Sequence, residues 1–367
     1  MSEWKECKLG DMADFKNGKT RPPEIESGKI PIYGGNGILG YTDKSNFEAE
    51  SVVIGRVGAY CGSVFYINNP VWVSDNALNT IPKPGTCAKF LYYLFKKMNL
   101  NSQAEGSSHP LLTQTLLNSL DILIPVSIPE QQAIVGVLSC LDDKIDLLHR
   151  QNKTLEGIAQ TLWRKMFVEE AKPEWKPTTI GEVAKFNEKN IDRNFPYSEI
   201  EYLDTGSITD GRISQFQYLS LKNAPSRAKR IVQKNDIILS MIRPIQKHYG
   251  ILKKVNCNTV VSTGFVVITC NKIDPHFIYL YLTQNDMTEY LEIIADGSTT
   301  AYPSLVPSDI EKIAFQMPPT NLIKKFSEYA SHAWDKIEEN HSQISTLTRM
   351  RDTLLPKLMS GELKVKL

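Results

Sequence analysis

Residues 134–166 read IVGVLSCLDDKIDLLHRQNKTLEGIAQTLWRKM, and one apolar stripe runs through the whole stretch. Ile134, Leu141, Leu148, Leu155 and Leu162 recur every seven residues, and Leu138, Ile145, Asn152, Ala159 and Met166 interleave with them. The residues between are mostly polar or charged. A 4-3 spacing kept up for about five heptads is a coiled-coil seam, because it holds one narrow apolar stripe against a partner helix. The same seam returns 192 residues later as Phe326, Ala333, Asn340, Leu347 and Leu354, interleaved with Ala330, Ile337, Ile344, Arg351 and Leu358. It is weaker but in the same register. Pro129 and Pro319 stand just before the two stretches, as helix-start signals do.

A helix of about 38 residues is on the order of 57 Å long and cannot leave such a stripe in water. The other half of the chain supplies a second stripe in phase with the first. The pattern therefore predicts an antiparallel intramolecular coiled coil, a rigid spacer with one module at each end. The alternative is that each helix packs on its own globular module.

The helices belong to a larger duplication. Trp4, Gly10, Asp11, Ala13 and Phe15 reappear as Trp175, Gly181, Glu182, Ala184 and Phe186, all at an offset of 171. Gly106-Ser107-Ser108 is echoed by Gly297-Ser298-Thr299, and Asp143-Lys144-Ile145 by Asp335-Lys336-Ile337. The ordered series divides the chain into a module (1–128), a helix (129–170), a second module (171–319) and a second helix (320–367). The modules are rich in β-branched and aromatic residues punctuated by Gly, Pro and Asn. Strands are expected at Ser51–Ile54, at Asp236–Ser240 and over Thr259–Ile268, the last interrupted at Gly264. Short helices are expected at Phe90–Phe95 and Phe277–Leu282. The fold class is α/β (α+β).

The chain has 367 residues, 41% of them hydrophobic and 23% charged, so two or three domains with sizeable cores are expected. No apolar run has the roughly 18–20 residues of a membrane span, and the first residues have no apolar signal core. The six cysteines (Cys7, Cys61, Cys87, Cys140, Cys257 and Cys270) form no C-x-x-C pair. Reduced thiols in the cytoplasm are expected, with no structural metal.

Motifs for chemistry fail one after another. Gly35-Asn36-Gly37-Ile38-Leu39-Gly40 is a literal G-x-G-x-x-G, but a turn follows it where a helix is needed, and Tyr60 stands where the acid should be. It is read as a tight exposed loop. Neither Asn69-Pro70-Val71-Trp72 nor Asn194-Phe195-Pro196-Tyr197 fits the catalytic tetrapeptide of an adenine methyltransferase. There is no Walker motif, and the six histidines show no paired metal-ligand spacing.

Local charge says more. Against a net charge of +1, residues 221–256 hold nine basic side chains (Lys222, Arg227, Lys229, Arg230, Lys234, Arg243, Lys247, Lys253 and Lys254) and only Asp236 opposing them. Such a patch suits a phosphate backbone, the alternative being an ordinary solvated surface. The first module has a thinner basic set (Lys16, Lys19, Arg21, Lys44 and Arg56) and polar loop residues suited to base edges (Asn17, Tyr33, Asn36, Asp75 and Asn76).

A duplicated chain of module, long helix, module, long helix resembles the specificity subunit of type I restriction-modification systems. The resemblance rests on Leu9-Gly10-Asp11 and Ile180-Gly181-Glu182 at the module starts and on Ile32-Tyr33-Gly34-Gly35-Asn36-Gly37. It rests also on Ile54-Gly55-Arg56-Val57-Gly58 beside Leu239-Ser240-Met241-Ile242-Arg243-Pro244, on Pro129-Glu130-Gln131-Gln132, and on Leu354-Leu355-Pro356-Lys357-Leu358 near the end. It covers essentially the whole chain. At the second helix start it departs from the pattern, since Thr320-Asn321 replace the expected Glu-Gln.

The resemblance implies a non-catalytic subunit whose two target-recognition modules each read one half of an asymmetric bipartite sequence in double-stranded DNA. The helices would set the spacer between halves and dock two modification subunits. Cofactors would belong to the partners: S-adenosylmethionine to the modification subunits, ATP and Mg to the restriction (translocase) subunits. DNA contacts are expected from Arg56, Tyr60, Asn76 and Ser108 in the first module. Arg243, Lys247, Tyr249, Thr263 and Thr299 are the corresponding candidates in the second. Two other classes remain open, an enzyme acting on DNA alone and a tandem protein-binding scaffold or decoy that captures modification subunits.

Overall fold

The computed structural model describes residues 3–106, 110–298 and 303–366. Two units emerge, Met1–Leu147 with Ile344–Leu367, and Leu148–Gln343. Each contains one module and one stretch of both long helices, Ile128–Arg164 and Thr320–Leu358.

In the first unit, the strands Ala13–Asn17, Ala77–Pro82, Ser51–Gly55 and Val64–Ile67 lie side by side in that order, all antiparallel. Ser51–Gly55 is buried along its whole length, which is why it reads as an unbroken apolar run. A smaller sheet orders Gly37–Thr42, Ile30–Gly34 and Trp72–Val73, the last pair parallel. The literal G-x-G-x-x-G lies on this hairpin, with its turn between Gly34 and Gly37, and no helix opens on it. Trp4–Lys8 pairs antiparallel with Asp121–Pro125, fastening the start of the module to its end.

The second unit repeats the plan. Ala184–Phe186, Phe265–Cys270, Ile237–Ser240 and Tyr249–Ile251 form the antiparallel sheet. Gln217–Ser220, Glu199–Leu203 and Thr259–Ser262 form the smaller one, again with one parallel pair, and Ala228–Ile231 adds an edge. Lys176–Thr179 with Ala314–Met317 is the fastening pair. The strand expected over Thr259–Ile268 is therefore two strands in two sheets. Thr263-Gly264 is the turn that carries the chain from one sheet to the other.

Within each unit the long helices run antiparallel. In the first, Arg351 Nη1 meets Asp142 Oδ1 at 2.9 Å, and Ile134 and Leu138 share a core with Leu358. In the second, Asn340 Nδ2 donates to Asn152 Oδ1 at 2.7 Å, while Phe167 packs edge-on to Phe326 with ring centroids 5.4 Å apart. The helices also pack on the modules. Ile134 and Leu138 join the cluster of Phe90, Leu91 and Leu94, and Trp163 lies against Phe277 and Tyr281. Both expected arrangements thus occur, at times on the same residues.

The helix starts show why one departs from the expected pattern. In the first, Gln131 Oε1 accepts from Cys87 N at 2.8 Å and Nε2 donates to Pro125 O at 3.2 Å, while Glu130 accepts from the Trp4 indole at 3.2 Å. In the second, the carbonyl of Pro319 receives Leu322 N and Ile323 N, where Ser127 O receives Glu130 N and Gln131 N. Leu322 and Ile323 then join the apolar core instead of forming polar ties.

Candidate nucleic-acid interface

Backbone hydrogen bonds build the same corner in each module. Arg56 N donates to Asn76 O and Leu112 N donates to Arg56 O, both at 2.9 Å. In the second module, Met241 N donates to Gly264 O at 2.9 Å and Leu305 N to Met241 O at 2.7 Å. Gly55 N pairs with Ser63 O as Ser240 N does with His248 O, each at 2.8 Å. Two nine-residue loops, 55–63 and 240–248, therefore correspond position for position. Arg56 matches Met241, and Arg243 matches Gly58.

The match extends to backbone conformation. Gly58 and Gly62 have φ of +70° and +86°; Arg243 and Lys247, at the same positions, have +48° and +54°. Glycine reaches this region freely, and a side chain there costs about 1–2 kcal/mol. The second module thus places two cations where the first keeps the strain-free residue. Lys247 Nζ reaches Asn285 Oδ1 at 3.2 Å.

The first-module candidates meet at this corner. Tyr60 is exposed, and its Cβ lies above Gly35 of the hairpin turn. The Arg56 side chain is half-buried, with an Nε that has no hydrogen-bond partner among the described residues. Ser108 lies outside the described residues; on either side of it, Glu105 and Leu111 pair with each other, and Pro110 O accepts from Gly58 N.

In the second module, Thr263 sits at the matching turn, its N–H donated to Arg227 O at 2.8 Å and its carbonyl facing Arg230 Nη2 at 3.4 Å. Burial pulls the Arg230 guanidinium below its usual pKa. Arg227 and Arg230 were legible as part of the basic run, but only the sheet-to-sheet turn brings them to Thr263. Thr299 lies outside the described residues. Tyr249 departs from its expected role: it is 5% exposed, its hydroxyl donates to Asp210 Oδ1 at 2.9 Å, and its ring packs on Tyr279. It belongs to a buried strand, with its hydroxyl and ring both engaged inside the module.

The basic run is not one patch. Lys253 is buried, with Nζ 3.1 Å from Asp335 Oδ1 of the second long helix, and burial raises the carboxyl pKa of Glu338 on that helix, with Lys254 and Lys253 opposing the rise. Lys222, Arg227, Lys229, Lys234 and Arg243 are exposed. The opposing acid is internal: Asp236 is buried, accepts from Gln233 N and Thr269 Oγ1, and burial pushes its carboxyl up to about 6. Among the described residues no group of three His, Cys, Asp or Glu is placed to hold a metal, and no helix is long and apolar enough to cross a membrane.

Comparison with known proteins bears on this repeated corner. Residues 1–157 and 172–343 match the family model described as type I restriction modification DNA specificity domain. The MjaIX specificity subunit of Methanocaldococcus jannaschii is 26% identical, the match covering 99% of this chain and 94% of that one. The EcoprrI specificity subunit of Escherichia coli is 34% identical over 34% of this chain and 29% of its own length. Among solved structures, the type I restriction-modification system S subunit from M. genitalium shares the fold with a TM-score of 0.67 at 19% identity, covering 98% of this chain and 96% of that one.

Proposed function

We propose that this chain, which belongs to the type I restriction-modification DNA specificity family, recognises DNA through the paired corners of its two modules. Each module reads one half of a bipartite, asymmetric duplex target. The observation that carries this reading is the repeated corner: loop, sheet-to-sheet turn and bridging segment are built twice with the same backbone hydrogen bonds but different side chains. Such a frame keeps geometry constant while the groups facing the bases change, as two different half-sites require. Cations on the second corner supply the sequence-independent grip on phosphate.

The chain itself carries out no chemistry in this reading. Two modification subunits dock on the paired helices and contribute S-adenosylmethionine, and restriction subunits contribute ATP and Mg. The helices set the gap between half-sites. With a formal charge of only +1, much of the grip on DNA falls to those partners. The scaffold or decoy reading gains nothing from the family match, which takes in both modules of this chain.

The test is a methylome. The chain is co-expressed with its modification subunit in a methylation-free host, and modified adenines are mapped by long-read sequencing. A split motif with a fixed gap, absent without this chain, is the expected result. A stable complex that adds no methylation overturns the reading.

A further inference from the structure

The loops 55–63 and 240–248 share no residue position for position, yet at two positions both expose an apolar or aromatic side chain. Val57 and Ile242 occupy the third position, 37% and 46% exposed. Tyr60 and Ile245 occupy the sixth, 52% and 53% exposed. A single exposed apolar residue needs no explanation. Two at the same two positions, in copies that differ everywhere else along the loop, indicate an apolar contact that both loops are built to make. The loops are held by backbone hydrogen bonds and by side-chain ties from Ser63 in the first and from Ser240 and Glu292 in the second, none of them made by the side chains of Val57, Tyr60, Ile242 or Ile245.

Arg243 and Lys247 flank Ile245 in the second loop, and Glu292 Oε2 accepts from Ile245 N at 2.8 Å, so the two cations outnumber the one acid there and suit an apolar group carried beside phosphate. On a DNA base edge, the apolar group available to a side chain is the thymine 5-methyl in the major groove. We infer that Ile242 and Ile245 read thymine methyl groups in the half-site of the second module, with Val57 and Tyr60 holding the equivalent places in the first. This inference rests on the DNA-reading function proposed above.

With the half-sites known, the complex of this chain with its modification subunits is titrated with duplexes in which each thymine of the second half-site is replaced in turn by deoxyuridine. At least one replacement is expected to weaken binding about fourfold, the loss of one buried methyl. In complexes carrying Ile242→Ala or Ile245→Ala, that same replacement no longer matters. Equal affinity for every deoxyuridine duplex overturns the inference, as does an undiminished thymine preference in both alanine variants or a half-site without thymine. The first comparison uses the unaltered protein, so a poorly folded variant cannot decide the matter. If sequence-specific binding persists through such a failure, DNA reading itself stands. If the unaltered complex shows no sequence preference, both readings fall.

Discussion

Lys247 occupies a left-handed backbone position that its counterpart Gly62 fills without strain, and its one described side-chain bond is an exposed contact with Asn285. Replacing it with glycine removes that strain, and Lys247→Gly should stabilise the chain by about 1 kcal/mol. If the lysine serves phosphate, the same change weakens DNA binding by the assembled complex and flattens its salt dependence. Urea unfolding and a salt series of binding isotherms read the two effects separately. Greater stability with unchanged DNA affinity would remove Lys247 from the interface. The residue scale is also where sequence reading had least purchase. Arg56, Tyr60 and Asn76 were candidates supplied by the family resemblance, and the fold does bring them to one corner. Tyr249 was not distinguishable from them, because an aromatic next to a basic loop looks the same whether its ring turns outward or, as here, into the core.

The two long helices were legible as elements because a heptad pattern is local and redundant. Its middle holds: Ile145, Leu148, Asn152, Ile337 and Asn340 are all buried. Trp163 near the end of the first helix and Phe167 in the π-helical turn Lys165–Glu169 that follows are buried off the seven-residue stripes, since the apolar face there must also cover Phe277 of the module. That demand comes from a partner distant in sequence, and no periodicity announces it. The buried amides invite a specific test. Asn340 Nδ2 donates to Asn152 Oδ1 and Gln151 Oε1, while Asn152 Nδ2 and Asn340 Oδ1 find no partner among the described residues. Asn340→Leu alone strands the Asn152 amide and should cost about 1–3 kcal/mol, whereas the isosteric double change to leucine should be near neutral. A double-mutant cycle in urea measures the coupling. Strictly additive losses would show that the amides do not act as a pair.

For the molecule as a whole, duplication ties residue to function, because it gives two frames of one topology with different side chains on them. The offset of 171 between module starts exposed the repeat, yet the correspondence of the loops did not follow from it. There the offset becomes 185, the register in which the family resemblance sets Ile54–Gly58 beside Leu239–Arg243, and the hydrogen bonds of Gly55 and Ser240 agree with it. The same register defines an exchangeable block. Leu9 N donates to Leu120 O at 2.8 Å, and the strands Trp4–Lys8 and Asp121–Pro125 close behind them, so residues 9–120 enter and leave the first unit side by side. Replacing that block with its counterpart from a relative, chosen to keep an apolar face toward Ile134 and Leu138, preserves the fastening strands and the Trp4–Glu130 bond. In the methylome of the exchanged complex, one half of the split motif should change while the other half and the gap remain. Both halves changing together would mean that the modules do not read independently. An unchanged motif would place recognition outside the corner that both modules repeat.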